Sequence, residues 1–265
     1  MYSMRLENLD PVKAQRWLDS SLGNRNISRA AVDDYARQME NGTFPINGAT
    51  FVFSKESNML DGHHRCLAVI QANVKIQVLV VKGVEIGVFP TIDSGKSRSY
   101  GNLLTIDHIP NAFNVAATAN QLWMLEKAGT PDQSSFPKSK RCTKQELLSF
   151  VLENNDKLQE SVKIAGRIKR LGPQSVFSAC YYLFSQKDRE SADKFFDKLA
   201  LGESLGKDDP VYRLREALRN YAMSPHRVSN ALIMAIVIKA WNATRESRKI
   251  GQLVYKSNEE FPKII

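Results

Sequence analysis

The sequence is poor in cysteine: its 265 residues include only three, Cys66, Cys142 and Cys180. They are odd in number, widely spaced and form no C-x-x-C pair. This pattern argues against a disulfide framework and against a structural zinc site. We therefore expect a protein of a reducing compartment.

Long hydrophobic runs are also missing. The longest apolar segment, Ala231–Trp241, has about half the roughly 20 residues that a membrane-spanning helix needs. The first ten residues, MYSMRLENLD, lack the apolar stretch of a secretory signal. The sequence thus predicts no membrane partner and a cytoplasmic location.

Positive charge is in excess, with a formal net charge of +9. Residues 1–105 contain 12 Lys and Arg against 10 Asp and Glu, whereas residues 106–265 contain 25 against 18. A basic region suits a polyanion, because Lys and Arg release counterions from a phosphate backbone. We predict that the second region contacts DNA; the alternative is that the charge only aids solubility. The basic stretches are Lys138–Lys144, Lys163–Arg170 and Arg245–Lys249.

Hydrophobic periodicity predicts an α+β protein with two domains, residues 1–105 and 106–265. The first would contain a small mixed sheet with helices, and the second would be entirely helical. In the first domain we expect a helix capped by Ser28 over 28–41, strands at 49–53, 59–60 and 75–81, and a short helix at 66–70. In the second, Thr143 and Glu146 have the spacing of a capping box. Other helices are expected near 114–127, 158–170, 174–186, 190–200, 210–222 and 226–247.

The segment Asp61-Gly62-His63-His64-Arg65 lies where a predicted strand meets a predicted helix. Glycine permits unusual backbone angles there, and the start of a helix favours a phosphate through its free N–H groups and dipole. Arg65 would add a charged fork for phosphate oxygens. His63 and His64 could serve as a general base, and Asp61 could bind Mg²⁺, orient a histidine or simply cap the helix.

A second polar segment, residues 91–98, contains an acidic residue, a glycine and two cations. Asp93 would suit a metal and a catalytic role, and Lys96 and Arg98 would suit phosphates. Ser94 and Gly95 would complete the nucleotide contacts from this side. The segment is not a Walker A loop, since G-x-x-x-x-G-K-[ST] is absent.

The pattern Gly62-x-x-Arg65-x-x-Ala68 resembles the G-x-x-R-x-x-A signature of the ParB/sulfiredoxin superfamily, and the chain resembles ParB-like phage and prophage proteins in particular. The resemblance implies a ParB/sulfiredoxin-like sheet domain that binds the phosphates of CTP or ATP with Mg²⁺. It also adds Asn24 and Arg25 to the expected nucleotide-binding residues. The matching segments are Asn24-Arg25, Leu60–Val69, Ile92–Arg98, Lys239–Asn242 and Glu260–Pro262.

Two departures from better-known relatives argue against the activities of those relatives. Sulfiredoxin has its reactive cysteine where this chain has His63, which argues against sulfiredoxin chemistry. Partition proteins usually have Gly-Glu-Arg-Arg where this chain has Gly-His-His-Arg, which argues against their CTP-specific clamp behaviour. We therefore expect a nucleotide-binding, DNA-associated ParB-like protein that slowly hydrolyses a nucleoside triphosphate. The alternatives are a kinase-like phosphotransferase, a phosphodiesterase or nuclease, and a binding module without turnover. The oligomeric state stays open, with a homodimer among the expected partners.

Overall fold

The protein belongs to the α+β class, and its described residues contain a four-stranded sheet and ten helices. They fall into two compact units, the first within residues 2–87 and the second from residue 99 onwards. The computed structural model describes residues 2–21, 27–87, 99–131, 141–203, 205–226, 228–256 and 258–265.

The first unit contains the whole sheet, whose strand order is β1-β4-β2-β3. Strand β4 is central and pairs antiparallel with β1 and parallel with β2. Strands β2 and β3 form a short antiparallel pair with an irregular register. The elements are β1 (Ser3–Leu9), α1 (Pro11–Asp19), α2 (Arg29–Glu40), β2 (Thr50–Ser54), β3 (Met59–Asp61), α3 (His63–Ala72) and β4 (Ile76–Val84).

Local caps explain where the first two helices begin. The Ser28 side chain accepts a hydrogen bond from the Ala31 N–H, which confirms the predicted start of α2. At α1 the Asp10 carboxylate accepts from the Lys13 N–H, and Pro11 occupies the first turn, where its missing N–H costs nothing. Neither β1 nor α1 was among the elements predicted from the sequence.

Helices α1, α2 and α3 share one hydrophobic core with the sheet. Phe51 and Val80 from the sheet and Val69 from α3 are almost fully buried in a common core. Trp17 of α1 adds edge contacts, with its ring 5.3 Å from Phe51 and 5.0 Å from Phe53. This core fixes the junction between β3 and α3.

The second unit is helical throughout the part that the structure describes. Trp241 is fully buried and stacks on Phe184 at 4.4 Å, with Phe195 and Phe196 packed nearby. Its helices are α4 (Tyr100–Ile106), α5 (Ala112–Ala128), α6 (Lys144–Gly166), α7 (Gln174–Lys187), α8 (Arg189–Leu201), α9 (Pro210–Ala222) and α10 (Asn230–Arg245). None of the helices in the described ranges combines the length and hydropathy needed to cross a bilayer.

Helix α6 differs from the prediction. The capping box of Thr143 and Glu146 is present, but the two expected helices join into one that bends at Asn154. The joined helix ends at Gly166, so it does not reach residue 170 as predicted. Arg167 instead caps the end of α6 and pairs with a carboxylate of α8.

Candidate functional site

Gly62 forms the joint between β3 and α3. Its φ of 118° and ψ of 2° lie in a region that side chains rarely adopt. A Cβ atom at this position would collide with the Phe51 ring. Glycine is therefore required by both the backbone and the packing. Because glycine has no side chain, nothing from this residue caps the first turn of α3.

Arg65 lies in that first turn and is mostly buried. Its Nη2 donates to the Thr50 carbonyl and to Asp61 Oδ2, both at 2.9 Å. The guanidinium also lies 4.5 Å from the centre of the Phe51 ring, within reach of a cation–π contact. Arg65 thus ties α3 to β2 and β3.

The two histidines have different surroundings. His64 Nε2 accepts a hydrogen bond from the Ser28 N–H at 3.0 Å, which requires that Nε2 carry no proton. His63 Nδ1 lies 3.4 Å from Ser21 Oγ. Burial lowers the pKa of His63 below its ordinary value, so this ring is neutral at pH 7. His63 thus has a neutral ring beside the cavity, whereas His64 Nε2 already accepts from a backbone donor.

A cavity of about 510 Å³ opens at this joint. One wall is aromatic, since Tyr35 and Phe44 pack edge to face with their ring centres 6.0 Å apart. The other lining is polar and includes the first turn of α3. The cavity is lined by Ser28, Ala31, Tyr35, Phe44, Asn47, Ala49, Asp61, Gly62, His63, His64 and Arg65.

The sequence predicted the lining residues from Asp61 to Arg65 as site residues. It did not predict the lining residues from Ser28 to Ala49 as part of a site. Ser28 and Tyr35 fall within the predicted helix over 28–41, in which Ser28 was expected only as the cap. Phe44, Asn47 and Ala49 belong to the connection before β2, where no local pattern marks them as site residues. Only the folding of α2 beside α3 brings the two sets together.

Cys66 follows directly in α3 and is completely buried. Its Sγ lies 3.9 Å from Met59 Sδ. Burial raises the pKa of the Cys66 thiol to about 12, so almost no thiolate forms at neutral pH. This environment gives Cys66 the character of a core residue, without nucleophilic chemistry.

Several predicted contacts lie outside the described residues: Asn24, Arg25, Asp93, Ser94, Gly95, Lys96 and Arg98. Within the described part of the chain, Asp61 is the one carboxylate that lines the cavity. No group of three or more His, Cys, Asp or Glu suited to a metal occurs in that part.

The second unit has a cavity of its own, about 440 Å³ in volume, between α8, the start of α9 and the segment after α10. Lys198, Lys207 and Lys249 line it and are exposed, and in the described ranges none of the three forms an ion pair. Arg248 also lines it and pairs with Glu246. Asp208 and Asp209 are its acidic residues, and Asp209 caps α9.

No protein-family model, curated protein or solved structure gives a significant match to this chain. The resemblance to the ParB/sulfiredoxin superfamily therefore stays a prediction from the sequence.

Proposed function

We propose that the first unit binds a nucleoside triphosphate, CTP or ATP, in the cavity between α2 and the start of α3. The observation that carries this proposal is the composition of one cavity: an aromatic wall faces the same space as an uncapped helix start. A volume of about 510 Å³ lies within the usual range of small-molecule sites.

Each end of the cavity matches a part of the ligand. The first N–H groups of a helix and its positive dipole end favour a phosphate, and Gly62 lets the backbone approach closely. Tyr35 and Phe44 offer ring surface against which a base can pack. The ParB/sulfiredoxin resemblance supports the same assignment, since its signature residues Gly62 and Arg65 both line this cavity.

The Arg65 guanidinium is held in place beside the cavity by hydrogen bonds to the protein. Nη2 donates to Thr50 and Asp61, and Nε and Nη1 have no acceptor among the described residues, so their donors can serve a phosphate oxygen. Mg²⁺ would enter with the nucleotide, because this ion commonly takes one or two protein carboxylates together with phosphate oxygens. Asp61 would supply that carboxylate, although its Oδ2 already accepts from Arg65.

The direct test uses the full chain and compares two variants of Ala49. This residue lines the cavity and is exposed, so a longer side chain leaves the core intact. Ala49→Glu places a negative charge beside the proposed phosphates, and Ala49→Gln has the same shape without the charge. Thermal shifts would be measured with ATP, CTP, GTP and their diphosphates, with and without Mg²⁺.

A nucleotide at ~100 times its dissociation constant should stabilise the wild type by about 2.7 kcal/mol. We expect Ala49→Gln to retain most of this stabilisation and Ala49→Glu to lose it. If no nucleotide stabilises the wild type, or if both variants bind as the wild type does, the cavity is not the nucleotide site.

Slow hydrolysis, or transfer of the phosphoryl group in an enzyme of the alternative class, would depend on His63. Its ring is neutral at pH 7 and can accept a proton from water or another nucleophile. Phosphate release by the wild type and by His63→Gln, each at saturating nucleotide, tests this role. Loss of turnover without loss of binding supports it, and equal turnover contradicts it.

We also propose that the second unit contacts DNA through its lysine-lined cavity. Three exposed lysines without ion pairs in the described ranges can approach phosphates without first breaking a salt bridge within the protein. Such contacts read charge and not sequence, so binding should weaken steeply as salt rises.

The test compares two double variants with equal change in charge. Lys198→Glu/Lys249→Glu alters the cavity, and Lys75→Glu/Lys157→Glu alters exposed lysines that do not line it. Fluorescence anisotropy with duplex DNA should show weaker binding only for the first. The slope of log K against log salt should also fall by about 0.9 for each phosphate that the variant no longer neutralises. Equal weakening in both variants would mean that net charge alone attracts DNA.

A further inference from the structure

Strand β1 lies at one edge of the sheet in the first unit. All seven of its residues, Ser3–Leu9, pair with β4 in a continuous antiparallel register without a bulge. Within the described ranges, no strand pairs with its other side. An edge of this kind presents a row of N–H and C=O groups to any extended chain that can approach it.

Apart from the charged residues Arg5 and Glu7, the usual devices that protect an edge strand are missing from β1. It contains no proline and no lysine, and its pairing is regular. Side chains along a strand alternate between faces, so Tyr2, Met4 and Leu6 share one face. They are 65%, 68% and 52% exposed, respectively. This apolar face adjoins the half-buried Leu79 and Val81, which lie opposite Leu6 and Met4 in the register.

Arg5 and Glu7 flank Leu6 and pair with each other within the chain, so the charges of β1 are self-complementary about Leu6. We infer that β1 pairs antiparallel with β1 of a second copy of this chain, with Leu6 opposite Leu6 of the partner subunit. In this register Arg5 lies opposite Glu7 of the partner subunit, and the same pair occurs again across the two-fold axis. Opposite charges directly across an antiparallel pair stabilise it, and like charges destabilise it.

The neighbouring registers are disfavoured by the same rule. Moving the axis to Arg5 places two arginines opposite each other, and moving it to Glu7 does the same with two glutamates. Only the register centred on Leu6 gives opposite charges and an apolar pair at the axis. Such an interface is isologous, and it would join two four-stranded sheets into one of eight strands.

Cysteine cross-linking tests both the pairing and its register. Opposite residues of an antiparallel pair have Cα atoms about 4.5–5.5 Å apart, a separation that a disulfide can bridge. Leu6→Cys would bring two new thiols to the axis. The three native cysteines are buried, so they should contribute little background. Met4→Cys is the matched control, because Met4 is on the same exposed face but would lie opposite Asn8 of the partner subunit.

We expect mild oxidation to give a covalent dimer for Leu6→Cys and little for Met4→Cys. Sedimentation equilibrium of the wild type should give a mass near twice 29.9 kDa. Arg5→Glu should lower that mass toward one chain, since it places two acidic residues opposite each other at each end. Arg29→Glu, an equal charge change on the exposed surface of α2, should not.

Two results would overturn the inference. One is a wild-type mass of a single chain at every concentration tested. The other is cross-linking of Met4→Cys as efficient as that of Leu6→Cys, since the register would then be different or the contact unspecific. Because none of these residues lines the nucleotide cavity, loss of the dimer and loss of nucleotide binding can be told apart.

Discussion

The two units each contain a cavity with cationic side chains, but they hold the positive charge in opposite ways. In the first unit the cation is a single guanidinium, buried, hydrogen-bonded to a carbonyl and a carboxylate, and packed on the Phe51 ring. In the second unit the cations are mainly lysines that extend into solvent, among them Lys198 and Lys249.

This difference determines what each cavity can recognise. The Arg65 fork is planar and fixed by its neighbours, so it can favour one arrangement of ligand oxygens. A lysine ammonium on a flexible stem is a strongly hydrated point charge and tolerates many arrangements. We therefore propose a compact ligand of defined shape for the first cavity and an extended polyanion for the second. It also follows that Arg65 should be needed for folding and that the lysines should not.

The largest effect on stability should come from Gly62→Ala, which changes the backbone geometry at the first cavity. The unusual φ costs about 1–3 kcal/mol for a residue with a side chain. The collision with Phe51 adds a similar amount, as in other overpacked cores. We expect the free energy of unfolding to fall by about 4 kcal/mol and nucleotide stabilisation to disappear. Urea denaturation followed by hydrogen exchange would locate the loss in the first unit.

Gly42→Ala is the control for this prediction. Gly42 also has a positive φ, 67°, but a Cβ there would meet nothing within 4 Å. It should cost about 1 kcal/mol and preserve the cavity. If the two variants are equally stable, the contact between Gly62 and Phe51 does not constrain the joint.

The second largest effect should come from removing the buried cation. Arg65→Met keeps a side chain of moderate length but leaves the Thr50 carbonyl and Asp61 without their donor. Losing one partner of a buried polar pair is costly, and the partial exposure of Asp61 moderates that cost, so we expect about 3 kcal/mol. Lys198→Met in the second unit should change stability by less than about 0.5 kcal/mol.

The measurement is chemical denaturation of both variants under the same conditions. A small loss for Arg65→Met would show that its hydrogen bonds to the protein contribute little. The guanidinium would then be free to act as a ligand group alone, and the contrast between the two cavities would fail.

Features of the fold that depend on near neighbours in the sequence were predictable. The caps at Ser28 and Thr143 were predicted because a capping side chain bonds to an N–H only three residues away. Strand β1 was missed although its apolar and charged residues alternate, because the strand that completes it, β4, begins at Ile76. Two helices were predicted where the structure has the single helix α6, because the polar run near Asn154 resembles a loop. In the structure the helix bends at Asn154 and continues.

The same distinction applies to the candidate site. The joint at Gly62 could be inferred, since a strand, a glycine and a helix follow one another directly. The partners of Arg65 could not all be inferred, because Thr50 lies fifteen residues earlier and is brought close only by the pairing of β2 and β3. A sequence motif indicates that an arginine is near the helix start, but only the tertiary structure shows which acceptors use it.

A third prediction concerns the pH dependence of nucleotide binding in the first cavity. Burial lowers the pKa of His63, and a bound phosphate would raise it by favouring the charged ring. Binding would then be coupled to proton uptake, so affinity should rise as pH falls from the pKa of His63 in the complex toward its lower pKa in the free protein. We expect at most a tenfold gain per pH unit, equivalent to about 1.4 kcal/mol.

The measurement is calorimetric titration of wild type and His63→Gln over the same pH range. The nucleotide phosphate also titrates, but it does so equally with both proteins, so their difference isolates the histidine. DNA binding by the lysines of the second unit should show no such difference. A wild-type affinity that follows the pH dependence of His63→Gln would remove His63 from the phosphate contacts.

The smallest effect should come from Glu7, a carboxylate of the first unit that pairs with Arg5, Lys13 and Lys82. Burial acts to raise the pKa of Glu7, but hydrogen bonds from Lys13 and Arg5 and the charge of Lys82 lower it to about 2. Because the folded-state pKa lies below the unfolded value of about 4.5, this stabilisation is present above pH 4.5 and is lost as pH falls toward 2. Its cations are partly exposed, so we expect Glu7→Gln to cost only about 1 kcal/mol at pH 7.

Urea denaturation at pH 7 and at pH 3 would measure this cost, which should be smaller at the lower pH. Glu259→Gln is the control in the second unit, where the carboxylate pairs with Lys239. A hydrogen bond from Lys239 lowers the pKa of Glu259 as well, so the sign of the pH dependence should be the same. If Glu7→Gln has an equal cost at both pH values, the three cations do not act on the charged carboxylate, and the acid sensitivity of the first unit has another source.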